Sequence, residues 1–469
     1  METLQRTANR GSISTGGYDI DNSLKMEADN SESMTRTPSS SGNRKTWTLS
    51  FWFKRTELGA AVRLFEAWDG STGTSALFTD ADLFILDLTA GGNYFTSSAV
   101  FRDTSAWYHF VIRVDTTQGT ASERARVYVN GSELAGSWNS NIGQNTDLTW
   151  NQNVVHYLGV FHLSGNFANG YYAEVINVDG TSLAPTEFGE FDADSGIWKP
   201  KAYTGSYGTN GFYLDFESSG SLGADSSGNG HTWTLNNITS ADQATDTPTN
   251  NFAINNIIDG GANTSNSVSY KEGGTVQIRN QFTNYNYNFS TLGMSKGKWY
   301  AEFQRGNDVN IIIGIQLQNF DSTLSSRVNV YIGLGADNHG GALGAGGAYF
   351  YNNTASTGYT TYGTSDILGV AVDCDNNKIY FSVNGTYVNS GNPASGLNGF
   401  DFGPLETNEP CFFVMNSYGA NLEHKANYGG YTTISISTPA SDENGYGNFE
   451  YAPPSGYYAL CTKNLAEFG

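Results

Sequence analysis

Apolar and polar residues alternate in short runs along most of the 469-residue chain, with the two-residue period of strands that bury one face. The run Thr46-Trp-Thr-Leu-Ser-Phe-Trp-Phe-Lys-Arg55 concentrates aromatic and β-branched side chains and predicts a strand buried on at least one face. Leu83 to Leu88, Trp107 to Val114, Ala125 to Val129, Val154 to Val160 and Tyr171 to Val178 repeat the pattern. Asn130-Gly131 follows one of these runs directly, and both residues tolerate the positive φ of a type I′ turn, so a hairpin is predicted there. Clusters of Gly, Ser, Thr, Asn and Asp separate the runs, and no long amphipathic helical period occurs. The one helix-like stretch is Pro185 to Phe191, with Pro at a first-turn position. Some seven or more short strands punctuated by turns predict an antiparallel sandwich.

A second strand-rich region begins near Val268. Gly297 to Phe303 alternates, Val309 to Leu317 is almost continuously apolar, and Leu368 to Cys374 is set to pair with Lys378 to Val383. Asp375-Asn376-Asn377 supplies the first turn of this meander and Asn384-Gly385 the next. Between the two regions, Leu222 to Phe252 shifts to Ser, Gly, Asn, Thr and Asp. Its Trp233 and Leu235 predict that this linker docks. The expected organisation is all-β: a sandwich over residues 1–218 with a short N-terminal arm, a docked linker over 219–264, and a second sandwich with a C-terminal extension over 265–469. The halves are not repeats of one another, which excludes a solenoid.

Composition narrows the classes. Aromatic residues make up 14% of the chain and charged residues only 15%, with 56 glycines, a profile unlike that of disordered or coiled-coil proteins. The formal charge of −21 repels phosphate backbones, so nucleic acid is not an expected partner. Three cysteines make no disulfide framework, and Cys374 is expected to pack as a small buried apolar residue. No stretch approaches the ~20 apolar residues of a membrane helix. The polar start, Met1 to Gly11, is not a Sec-type signal.

The first half, through Trp47-Thr-Leu-Ser-Phe-Trp-Phe-Lys54, Trp107-Tyr-His-Phe-Val-Ile112 and Val127-Tyr-Val-Asn-Gly131, resembles a laminin-G-like jelly roll of the concanavalin A type. The second half resembles a SPRY domain in Gly297-Lys-Trp-Tyr-Ala-Glu302, Gly369-Val-Ala-Val-Asp373, Ile379-Tyr-Phe-Ser-Val-Asn-Gly385 and Asn427-Tyr-Gly429. Three connecting segments are similar to stretches of structural proteins from tailed phages, marine and cyanobacterial ones above all. They are Phe188 to Phe216, Asp225 to Gly230 with Thr245 to Asn251, and Tyr451 to Leu465. The resemblance implies a virion appendage or fibre protein, on the tail or capsid, assembled in the host cytoplasm. It implies partners among host-surface polysaccharides or glycoproteins and other virion proteins, and a homo-oligomer, with a trimer as one form. Nothing in the chain resembles a particle-attachment domain or a long trimeric stalk.

Candidate chemistry is sparse. Laminarinase-type glycosidases of the same fold carry Glu-x-Asp-x-Glu along one strand, which sets two carboxyls ~5 Å apart. Glu190-Phe-Asp192-Ala-Asp194 approximates this, but Ser195-Gly196 follows as a turn, so no catalytic residue is assigned and these three remain the weaker alternative. Asp373 to Asn384 fails as a calcium loop, with Lys378 where Gly is needed and Asn384 where Glu is needed. No cofactor is expected. A structural calcium of the kind laminin-G-like domains hold has Asp69, Asp80 and Asp82 as equal candidates. His156 and His162 lack a zinc spacing, and Gly340 to Gly347 reads as a flexible loop or a tightly packed bend.

Binding chemistry remains. Rigid aromatic faces beside Asn, Ser and Gly suit a sugar, which has C–H groups on one face and hydroxyls at its edge. The candidates are Trp68, Tyr94 and Trp138 in the first region, and Phe350, Tyr351, Asn352, Asn353, Tyr359 and Tyr362 in the second. The competing reading is that these rings fill the two cores. The leading expectation is a non-enzymatic phage appendage that binds host glycans or neighbouring virion proteins. The alternatives are a decoration protein without host binding and a depolymerase acting through Glu190 and Asp194.

Overall fold

A computed structural model describes residues 17–162, 165–258, 268–279, 286–317, 340–405, 410–418 and 422–469. The polar start of the chain therefore lies outside the described residues. The chain divides into two units with the boundary between Thr249 and Asn250.

Among the described residues, the first unit packs two eight-stranded sheets face to face. The first sheet runs Ser132–Glu133, Ala125–Val129, Trp107–Asp115, Thr46–Arg55, Gly170–Asp179, Ser23–Met26, Gln243–Ala244, with Phe212–Leu214 also on Gly170–Asp179. The second runs Gly136–Trp138, Tyr94–Val100, Leu83–Asp87, Gly73–Phe78, Val62–Trp68, Val155–Leu158, Ser33–Arg36, Thr234–Asn236. Alternation places Trp47, Leu49, Phe51 and Phe53 in the core between the sheets, against Leu64, Phe65, Phe78, Phe84 and Leu86. The Thr46–Arg55 strand is buried on both faces, because the segment after Asp179 folds back over the outside of the first sheet. Phe188 packs there on Val111, Ile176 and Val178, with Tyr203 and Tyr207 beside them. The hairpin at Asn130-Gly131 has the expected left-handed φ values of 47° and 77°. Only Gly fits at 131, since a Cβ there would stand 2.3 Å from the Trp198 ring.

The expected linker is divided between the units. Residues 219–249 complete the first one: Thr234–Asn236 is an edge of the second sheet and Gln243–Ala244 an edge of the first. Trp233, 2% exposed, enters the core edge-on to Phe212 at 5.0 Å, and Leu235 packs against it, so both docking residues do dock. The weak strand signal of this segment explains why its sequence reads as a linker: edges need few β-branched residues when buried anchors fix them. Buried ion pairs supply those anchors. Lys54 Nζ lies 2.6 Å from Asp246 Oδ2, and the Trp107 indole N–H donates to Asp246 Oδ1 at 3.0 Å. The Pro185 to Phe191 stretch is corrected from a helix to one 3₁₀ turn, Pro185–Glu187, followed by the strand Gly189–Phe191. Antiparallel pairing with Trp198–Pro200 keeps the chain extended there.

The second unit is also a sandwich of two sheets, antiparallel among the described residues except where Tyr458–Ala459 pairs parallel with Lys298–Gln304. Among the described residues, the larger sheet contains Val268–Lys271, Val276–Arg279, Leu422–Asn427, Lys298–Gln304, Leu368–Asp373, Lys378–Val383 and Thr386–Tyr387 in that order. The smaller runs Asn286–Phe289, Cys411–Ser417, Ile312–Leu317, Gly340–Gly344, Ala348–Tyr351, Thr354–Thr357. The expected meander is present, with Asn377 at φ 54° and Asn384-Gly385 at 48° and 77°. The glycine run divides: Gly340–Gly344 is corrected to an inner strand, whose missing side chains make room for the Tyr349 hydroxyl and the Phe350 ring, while Ala345 to Gly347 form the turn that follows it. Cys374 packs in the core, its sulfur 3.9 Å from that of Cys411. Buried Glu302 ties in the C-terminal extension, accepting from the backbone N–H of Glu450 at 3.0 Å and of Tyr451 at 2.8 Å. The extension ends in the α-helix Thr462–Phe468, which no sequence pattern announced.

Replacing Asp246 with Ala removes the carboxylate that holds the buried Lys54 ammonium, and breaking such a pair costs about 3–5 kcal/mol. Urea unfolding followed by tryptophan fluorescence should show a loss of that size, and a loss below ~1 kcal/mol would contradict the anchoring role.

Candidate functional site

The open face of the first unit is the outer side of its second sheet. Cross-strand pairing sets Tyr157, Glu66, Ser75, Asp87 and Tyr94 in one row across five strands. Arg63, Leu77, Ile85 and Thr96 form the next row. A bulge between Arg63 and Phe65 keeps Phe65 in the core while Arg63 and Glu66 share the outer face. Trp68 continues that face, its ring lying over Gly73, where a Cβ would stand 2.7 Å from the indole.

His162 closes one end of the row. Its imidazole sits 4.0 Å from the Trp68 ring and 4.0 Å from that of Phe161, and Arg63 lies 4.4 Å over Phe161. His162 Nδ1 is 2.7 Å from Glu66 Oε2, and the His162 backbone N–H donates to the same oxygen at 3.1 Å. Burial pushes the Glu66 carboxyl up to about 7, against the lowering charge of Arg63, and burial lowers the imidazole. Near pH 7 the Glu66 carboxyl is therefore partly protonated. Arg63 donates to Ser75 Oγ at 2.6 Å. Asp87, raised by burial, accepts from the N–H groups of Thr89 at 3.1 Å and Gly91 at 2.6 Å. The face thus offers the half-buried Trp68 indole, Tyr94, the Arg63 guanidinium and the Asp87 carboxyl, with Tyr157 buried beside them. Glu66 is only 3% exposed, which leaves it shaping the face rather than handing a proton to a ligand.

The aromatic candidates separate. Trp68 and Tyr94 share this face. Trp138 pairs with Phe95 and packs against the core, ring to ring at 5.6 Å, so it does not join them. In the second unit, Tyr362 is corrected to a core residue, 3% exposed, its hydroxyl donating to the Leu343 carbonyl at 3.0 Å. Tyr359 packs edge-on to Phe400 at 4.9 Å, Tyr351 joins the same core, and Phe350 packs on Ile312, Ala342 and Val414. Asn352 and Asn353 are exposed at a hairpin tip with left-handed φ of 48° and 58°, where they serve the turn. Packing thus claims most of the second unit's rings.

The acidic candidates are turn and anchor residues. Asp192 accepts from Ser195 N–H and Oγ, each at 2.9 Å, and from Asp194 N–H at 3.1 Å, which pulls its carboxyl down to about 2. Glu190 pairs with Lys199 at 3.4 Å and Asp194 is exposed in the turn, so no pair of carboxyls faces a substrate there. Asp82 is taken by Arg55 at 3.1 Å and Arg102 at 2.8 Å, which removes it as a calcium ligand. Asp69 caps its own turn through Ser71 and Thr72, and Asp80 is exposed in the next turn. Among the described residues no three His, Cys, Asp or Glu side chains converge as metal ligands.

Ser50 and His109 also meet, at 2.8 Å, without making a catalytic dyad. The Trp198 indole N–H donates to His109 Nδ1 at 2.9 Å, so Nε2 carries the proton and donates to Ser50. Burial lowers this imidazole to about 3. Another carboxyl raised to about 7, Glu174, lies 2.8 Å from the Tyr18 hydroxyl and 2.7 Å from that of Tyr213, while the two hydroxyls are 2.8 Å apart. Three contacts need three protons, so a protonated carboxyl completes the ring.

Residues 29–180 match the family model of the concanavalin A-like lectin/glucanases superfamily. No curated protein matches the chain. Similar solved structures include the SPRY domain of human HERC1, 14% identical, covering 33% of this chain and 89% of that one at a TM-score of 0.26. A Bacteroides ovatus protein named for a proposed carbohydrate binding role is 15% identical, covers 47% of this chain and 59% of its own, and has a TM-score of 0.30. Stonustoxin is 16% identical over 37% of this chain and 27% of its own, at 0.27. At such TM-scores the likeness does not extend to function.

The folded state holds the Glu174 proton more tightly than the unfolded chain, since burial raises the carboxyl from 4.5 to about 7. Its contribution to stability is full below pH 4.5 and is lost as the pH rises through about 7. Urea unfolding across that range should show the wild type losing on the order of 3 kcal/mol more than Glu174→Gln, which keeps the burial-raised Glu66. Parallel pH curves would refute the assignment.

Proposed function

We propose that the protein is a non-enzymatic glycan-binding appendage and that sugar docks on the outer face of the second sheet of the first unit. The observation that carries this reading is the Trp68 ring lying over Gly73, with Arg63, Asp87, Tyr94 and Tyr157 on the same face. An indole covers the C–H side of a pyranose while the polar groups beside it hydrogen-bond the hydroxyls. The family match over residues 29–180 supports the same reading. The virion setting rests on the resemblance of the connecting segments to tailed-phage structural proteins. There the charge of −21 would repel an anionic cell surface, and marine salt shortens that repulsion towards a screening length between roughly 8 and 3 Å. Short-range stacking then decides, and a homo-oligomer multiplies weak sugar sites.

The test is binding of labelled full-length protein to host cells and glycan arrays in high salt, with and without periodate treatment of the sugars. Periodate-sensitive binding is expected, and Trp68→Ala should weaken it about tenfold, equivalent to ~1.4 kcal/mol, with an unchanged circular dichroism spectrum. Absence of binding in every salt and calcium condition would overturn the reading in favour of a decoration role. Release of reducing sugar would overturn it in favour of a depolymerase.

A further inference from the structure

The most unusual buried cluster of the first unit lies away from this face. Lys25 sits in the Ser23–Met26 strand, whose register with Gln243–Ala244 pairs Ser23 with Ala244 and Leu24 with Gln243. One step along, that register sets Lys25 against Asp242. The Lys25 Nζ is 2.8 Å from Asp242 Oδ1 and 3.1 and 3.2 Å from the two oxygens of Glu32. The three side chains are 0%, 8% and 2% exposed. Each carboxyl is held in place independently. Glu32 accepts from the Glu27 N–H at 2.7 Å and from Asn30 Nδ2 at 2.9 Å. Asp242 Oδ2 accepts from Thr239 N–H at 2.7 Å and from its hydroxyl at 3.1 Å.

In such a dry site desolvation penalises a carboxylate and favours its protonated form. Burial raises Glu32 in that direction. An amine pressed against one carboxyl, with a second acid alongside to move protons, is the arrangement that amide formation requires. Condensation also exchanges two buried charges for a neutral amide, and a site that excludes water disfavours the reverse reaction.

We propose that Lys25 and Asp242 condense to an intramolecular amide, with Glu32 as the proton carrier. The amine nitrogen bonds to the Asp242 side-chain carbonyl carbon and one C–O bond of that carboxyl breaks. Of the three ammonium hydrogens, one stays on the amide nitrogen and two leave with the oxygen as water, passing by way of Glu32. No oxidant, reductant or co-reactant is needed. The product joins the Ser23–Met26 strand covalently to the edge strand Gln243–Ala244, so the two ends of the unit cannot peel apart.

Mass spectrometry of the denatured full-length protein tests this. The expected mass is one water below that of the sequence, and a tryptic digest should contain a branched peptide joining the segment around Lys25 to the one around Asp242, with cleavage after Lys25 blocked. A mass equal to the sequence, or a water loss that maps to Lys54 and Asp246 or to any other pair, would overturn the proposal. Lys25→Arg should restore the full mass, and persistence of the loss in that variant would also overturn it. Glu32→Gln should leave the bond unformed; a branched peptide in that variant would remove Glu32 from the reaction. Should Glu32→Gln fail to fold, Asp242→Asn tests the same bond, because condensation would then release one ammonia instead of one water.

Discussion

A fully buried cation can stay in a folded protein only while a carboxylate is held against it, and the first unit is assembled around that constraint. Lys25, Lys54 and Arg55 are almost wholly removed from solvent, and the Born cost of each is several kcal/mol without a partner. The partners come from distant parts of the chain: Asp242, Asp246 and Asp82. Two of these three lie in the segment that reads as a linker by composition. It brings the Asp242 and Asp246 carboxylates to Lys25 and Lys54, and its short strands add to the edges of both sheets.

This closure also decides which surface remains for function. The segment after Asp179 returns over the outside of the first sheet, and Phe188, Trp198, Tyr203 and Tyr207 cover it. The acidic motif at Glu190 is carried on that cover as a small hairpin, with Asp192 spent on its own turn. The outer side of the second sheet keeps half-buried Arg63, Trp68, Asp87 and Tyr94 around buried Tyr157, Glu66 and Ser75. In the second unit the balance falls the other way. Its aromatic residues fill the space between the two sheets and also pack on their outer faces, and its Gly-rich strand makes room for Tyr349 on one side and Phe350 on the other.

The sequence alone determined the secondary structure class and much of its placement. Strands such as Thr46–Arg55, Ala125–Val129 and Lys378–Val383 follow from period-two alternation, which is local. The hairpins at Asn130-Gly131 and Asn384-Gly385 follow from the left-handed φ that these residues tolerate, which is local too. The core role of Cys374 follows from its apolar neighbours. What sequence could not decide was anything that depends on a partner far along the chain. The strands Val62–Trp68 and Gly73–Phe78, which carry the candidate face, escape the alternation rule because a bulge shifts the first by one residue and the second is rich in Gly, Ser and Thr. His162 reaches Glu66 only through a left-handed turn at φ 43°, for which a lone histidine in a loop gives no signal. Whether a tyrosine lines a surface or a core, as with Tyr94 and Tyr362, depends on which sheet lies opposite. Hydrophobicity along the chain records that a ring is to be buried or shared, but only the packed tertiary structure sets against what.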